Sequence, residues 1–204
     1  MKNFLKNNGH FIWRLILNQI GLTVFGLMTT MAAAAVDRSL SGEGELQRTC
    51  MIWTSVFAIL FYMFVDYTAI KEEGQRDKIR ADAGRIERDP WRGFKIAIIA
   101  ALPNLILGVI AVGGGILGAE SGLALEWAGA ASGTSKLISL VIQAMYWGIL
   151  LGLPGVVTVA DTPTLAYLLI PLPALICASV AYVAGLHEVS IMKHVKSFFT
   201  PEAK

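Results

Sequence analysis

Five polar side chains stand inside otherwise apolar stretches of this chain: Asn18, Gln19, Asp66, Asn104 and Gln143. None sits beside a nucleophile or a general base. Together they offer amide and carboxylate groups, which either bind a polar solute or ion or hold one helix to another by hydrogen bonds. Asp66 is the acidic residue deepest in an apolar pattern, and an intramembrane carboxylate is by default a functional hypothesis. Lys71 follows five residues later beside a basic segment, so a structural ion pair is the plainer role. Arg14 is its expected partner, because both residues fall near the cytoplasmic ends of neighbouring apolar segments.

Asn18 lies four residues after Arg14, on the same helical face, with Gln19 adjacent. Arg14 is placed to snorkel toward lipid headgroups. Amides at the depth of Asn18 and Gln19 usually bond to a neighbouring helix, each contributing about 0.6–2 kcal/mol. Pro103-Asn104 interrupts a long apolar segment. Such breaks line transporter sites, and they also occur as ordinary kinks. Glycine pairs at 114/118 and 148/152 have small-xxx-small spacing and point to close helix packing.

Enzyme signatures fail on spacing. His187-Glu188 is followed by His194, seven residues after the first histidine, where the zinc motif needs four. Gly129 to Gly133 lacks the glycine two before serine that a nucleophile elbow requires. Gly129 to Lys136 lacks the glycine-lysine-hydroxyl order of a phosphate loop. Cys50 and Cys177 are isolated and read as small packing residues. No catalytic residue, metal site or cofactor is expected, and the expectation is a protein that is not an enzyme.

The elements that must position these side chains follow from composition. The 204 residues are 55% hydrophobic and only 16% charged, against about 25% charged in soluble domains. Five runs, 15–36, 49–65, 96–119, 137–160 and 162–187, contain no Asp, Glu, Lys or Arg. Each approaches or exceeds the roughly 20 apolar residues that cross a bilayer as a helix. A soluble fold, a disordered tail and a secreted disulfide scaffold are excluded. The net charge of +2, with basic residues spread beside apolar runs, gives no nucleic-acid partner.

The expected fold is an all-α integral membrane protein, one polytopic domain over 1–204. Four transmembrane helices fall at about 11–36, 50–70, 91–118 and 164–187, with a re-entrant or fifth helix at about 137–160. A cytoplasmic loop over 71–95 carries eight basic and six acidic residues. Helical spacing pairs Glu72 with Arg76, Lys78 with Asp82 and Arg85 with Asp89. Asp89-Pro90 then reads as a helix start. The first apolar segment is interrupted by Arg14, Asn18 and Gln19 and is too long for a signal-peptide core, so it is expected to be retained.

Basic residues favour the cytoplasmic side, which places the N-terminus and the 71–95 loop inside a cell membrane. Five crossings leave 11 basic residues inside and 6 outside; four crossings with a re-entrant fourth run leave 14 and 3. The fourth run is also broken by Pro154-Gly155, and the charge rule favours the re-entrant form. Two functions fit, the first expected and the second its alternative. One is a non-catalytic membrane subunit or assembly partner, surrounded by lipid and docking other subunits or a second copy. The other is a small transporter or channel component, for which the five polar side chains must converge on one cavity.

Overall fold

The computed structural model describes the chain apart from Met1, Pro154 and residues 41–44, 120–125, 157–160 and 189–204. Among the described residues the regular structure is all helical, with no strand. Helix α1 spans Lys2–Leu40, α2 Glu45–Asp82, α3 Arg92–Ala119 and α4 Glu126–Ile142. A single 3-10 turn, Ala144–Tyr146, leads into α5, Trp147–Leu151, and α6, Thr164–Leu169, runs into α7, Pro171–Leu186. Four helical stretches are long and apolar enough to cross a membrane: Asn8–Ala33, Gln47–Asp82, Arg92–Gly118 and Thr164–Leu186.

Helix α2 extends well past residue 70. Its 38 residues correspond to about 57 Å at 1.5 Å per residue, so most of the expected 71–95 loop is helix and the connection is confined to 83–91. The helix stops at Gly84, whose φ is +68°. Arg85 N–H then bonds to Arg80 C=O and Gly84 N–H to Ala81 C=O, both at 2.9 Å, the glycine-terminated arrangement that satisfies the last carbonyls of a helix. Asp89 starts α3 as expected: one carboxylate oxygen accepts Trp91 N–H at 3.0 Å and the other accepts Lys95 Nζ at 2.7 Å. Of the three helical charge pairs, Glu72–Arg76 forms at 2.8 Å. Lys78 instead meets Glu188, and Asp82 meets Arg88.

The fourth apolar run breaks earlier than its proline suggested. The helix ends at Ile142, and the chain turns by 92° before Ala144–Leu151. Gln143 occupies the corner at φ −124°, ψ 38°. Backbone groups left open on either side of the corner are taken up by α1 and α2. Thr23 hydroxyl donates to Ile142 C=O at 2.6 Å, Gly148 N–H donates to Ser55 Oγ at 2.8 Å, and Arg48 Nε donates to Gly152 C=O at 2.6 Å. Gly26 lets α1 approach the corner, since a Cβ there would stand 2.7 Å from Met145 Cα.

Close contacts order the helices by level. Asn8, Asp77, Arg92 and Tyr182 meet at one end. At the other, Gly118 abuts Gly129 and Gly152 abuts Ile52. Residues 126–152 therefore enter and leave the bundle at the same end, while α1, α2, α3 and α6–α7 run its length. Glu188 beside Lys78, at 2.7 Å, returns the chain to the end that holds its first residues. Both expected glycine pairs lie at tight contacts, 114/118 against α4 and 148/152 against α2.

The bundle is apolar outside. Trp13, Leu17, Val24 and Met28 of α1, and Trp53, Phe57 and Phe64 of α2, are exposed. Its interior is rich in small residues, among them Ala58, Ala97, Ala111 and Ala181, which let helices approach closely.

Candidate functional site

A cavity of about 40 Å³ opens midway along the bundle. Gln19 of α1, Tyr62 and Asp66 of α2, Asn104 of α3 and Gln143 at the corner all line it. Apolar walls come from Leu15, Ala100, Ala101, Pro171 and Ala174, among others. Four of the five expected polar side chains thus share one space. The fifth, Asn18, is half-buried just behind it and donates from Nδ2 to Asp66 Oδ1 at 3.4 Å. Tyr62 stands one helical turn before Asp66 on α2.

Arg14 does not join them. Its side chain is exposed, and among the described residues no ion pair connects it to Asp66. The physical reason is angular: Asn18, not Arg14, comes within reach of α2, leaving Arg14 at the bundle surface. Asp66 also lies deeper than expected. It is 16 residues from Asp82 and 19 from Gln47 in its apolar stretch, at the level of the cavity and away from either end.

Local sequence explains the placement. Gln143 points inward because the chain corner falls there and Met145 is clamped against Gly26. Asn104 follows Pro103, which removes one backbone donor from α3 and leaves the Ile99 carbonyl without its usual i+4 partner. Asn104 and Gln143 are 5% and 3% exposed, and among the described residues neither Asn104 Oδ1 nor Gln143 Oε1 has a hydrogen-bond partner. Leaving a buried amide oxygen unpaired costs about 1–3 kcal/mol. Two such atoms stand on this one cavity.

A second polar cluster, not foreseen in sequence, closes the end of the bundle. Asp77 is 1% exposed. It accepts from Arg92 Nη1 and from Tyr182 hydroxyl, the latter at 2.7 Å, with Arg80 Nη1 at 3.3 Å. Arg92 also donates to Asn8 Oδ1, from Nη2 at 2.6 Å and Nε at 3.1 Å. Four long helical segments are tied by these groups. Asp66 and Asp77 are eleven residues apart, close to three turns of 3.6, so both lie on one face of α2. That spacing was the available signal. Between cavity and cluster lies an apolar layer including Ile12, Leu15, Ile70, Ala97 and Ala178.

Lys136, expected at the edge of a loop, sits within α4. It is 7% exposed and donates from Nζ to Thr162 C=O at 2.9 Å. Thr162 and Tyr167 hydroxyls are 2.9 Å apart. Cys177 Sγ lies 3.6 Å from Met63 C=O, consistent with a packing thiol. His194, with Lys193, Lys196, Lys204 and Pro154, lies outside the described residues.

Comparison of the chain with protein-family models, curated proteins and solved structures found no match.

Proposed function

We propose that the protein is a cell-membrane transporter or channel component that holds a small polar solute or ion in the middle of the bilayer. The single observation that carries this is the convergence of Gln19, Asp66, Asn104 and Gln143 on one cavity. An assembly subunit using the same residues only for packing would scatter them among separate helix contacts.

Membrane embedding is supported by the exposed apolar side chains of α1, α2, α3 and α7, far more than a soluble monomer displays. The depth of the cavity is supported by counting along the helices. Gln19 is 11 residues beyond Asn8, Asp66 is 11 before Asp77, and Asn104 is 12 beyond Arg92. At 1.5 Å per residue these are about 16–18 Å, half of a hydrocarbon core about 30 Å thick. With the polar cluster at the cytoplasmic face, the cavity falls at the midplane.

The orientation is N-terminus inside, with four crossings and residues 126–152 re-entrant from the outer face. It keeps the eight basic residues of 71–95 in the cytoplasm. A corner buried against α1 and α2 fits the rule that non-helical backbone at membrane depth must be enclosed by protein. Broken helices at the midplane are a recurrent way to build transport sites.

The test is accessibility of the cavity. In a background with Cys50 and Cys177 replaced by alanine, Asn104→Cys and Gln143→Cys are treated in sealed vesicles of known orientation with a membrane-impermeant thiol reagent. Labelling of either position from both faces is expected for a transport path. Labelling from neither face at any reagent concentration would return these residues to a packing role.

A further inference from the structure

We propose that the cavity binds a single alkali cation, held by the Asp66 carboxylate and by the Asn104 and Gln143 amide oxygens. The assignment rests on the mid-bundle site proposed above and names its ligand.

The sign follows from the lining. Asp66 supplies one formal negative charge, and among the described residues no Lys, Arg or His lines the cavity. An anion would face a carboxylate with no compensating group. A single positive charge neutralises the site, whereas a divalent ion would leave a net charge in a low-dielectric interior.

The donor set narrows the ion further. Asn104 Oδ1 and Gln143 Oε1 are buried acceptors without partners, and acceptor oxygens satisfied by no protein donor are what a hard cation requires. Among the described residues no three His, Cys, Asp or Glu side chains cluster as metal ligands. The site therefore lacks the imidazole, thiolate and multiple-carboxylate sets that hold zinc, iron or calcium. Size acts in the same direction: about 40 Å³ has room for an ion with a few waters, on the order of 10–15 Å³ being needed for each, and not for a sugar or an amino acid.

Asn18 then has a positioning role. Asn18 Nδ2 donates to Asp66 Oδ1 at 3.4 Å, and Tyr62, one turn earlier on α2, lines the cavity beside it. Asn18 fixes the carboxyl rotamer without contributing charge.

The test uses the full-length protein purified in choline chloride. Addition of NaCl or KCl at constant ionic strength is expected to raise the melting temperature in a saturable manner, with heat of binding detected by calorimetry. Asp66→Asn is expected to abolish the response. Asn104→Leu and Gln143→Leu should each weaken binding at least tenfold while melting in choline at or above the wild-type temperature, because each removes an unpaired buried oxygen. The leucine variants keep the test decisive where Asp66→Asn does not fold. Three results would overturn the assignment: no alkali-ion effect on the wild type, an unchanged effect in both leucine variants, or tighter binding of Ca²⁺ than of Na⁺. Alkali binding without labelling of the cavity from either face refutes transport and leaves the ion site. Labelling from both faces without alkali binding does the reverse.

Discussion

Asp77, near the end of α2, and Arg92, the first residue of α3, form an ion pair buried across the turn that joins their helices, with side chains 2% and 18% exposed. Tyr182 and Asn8 complete it from α7 and α1. Breaking a buried pair by removing one partner costs about 3–5 kcal/mol, because the other charge is left uncompensated. Arg92→Met is therefore expected to lower stability by about that much in detergent unfolding, and Arg92→Met with Asp77→Leu by clearly less than the sum of the singles. Additive losses would show that the pair is not energetically coupled.

Tyr182→Phe removes one donor from Asp77 while keeping the ring against Gly93. A loss of about 1–3 kcal/mol is expected, and Gly93→Ala should cost more because its Cβ would meet the Tyr182 ring. If Gly93→Ala unfolds at the wild-type temperature, the close approach of α3 and α7 is wrong.

Arg14→Gln is expected to change stability by less than about 0.5 kcal/mol, as for a surface position without a special role, and its effect should add to that of Asp66→Asn. Asn18→Leu should couple to Asp66→Asn instead, since Asn18 is the residue that contacts the carboxylate. Coupling of Arg14 with Asp66 in a double-mutant cycle would restore the pairing that sequence spacing suggested.

Topology has a direct readout. Single cysteines at Glu87, Glu126, Gly155 and His187, in the background lacking native cysteines, are expected to label in two groups. Glu126 and Gly155 should react from one face, and Glu87 and His187 from the other. Gly155 reacting together with Glu87 would mean that the fourth apolar run crosses the membrane.

The corner at Gln143 can be weakened selectively. Thr23→Val leaves the Ile142 carbonyl without its donor and is expected to cost about 1–3 kcal/mol. Hydrogen exchange should rise at Trp147–Leu151 more than elsewhere. Uniform loss of protection over the chain would place the role of Thr23 outside the corner.

Much of this architecture was legible in the order of residues. Charge-free runs and flanking bases located the four long helices, and polar residues isolated in apolar sequence located the cavity, because burying an amide or carboxylate is costly enough to need a purpose. What was not legible depended on rotation and on distant partners. Arg14 and Asn18 share a nominal face, yet the packing of α1 on α2 admits only Asn18. Asp77 and Arg92 looked like members of a solvated charge run, and nothing local revealed that Tyr182 would arrive beside them. Pro154 was the visible breaker in the fourth run, but Thr23, Gly26 and Ser55, all far upstream, make the earlier break at Gln143 affordable.

That corner also bears on how the chain is made. Every side chain that satisfies its open backbone groups, Thr23, Arg48 and Ser55, precedes it in synthesis, while α6 and α7 follow. The segment can find its supports as it leaves the ribosome, without waiting for α6 and α7. Nascent chains arrested once residue 160 has cleared the ribosome should already shield a cysteine at Ala144, which is buried at the corner, from thiol reagents, and exposure there until α7 is complete would show that assembly waits for the last helix.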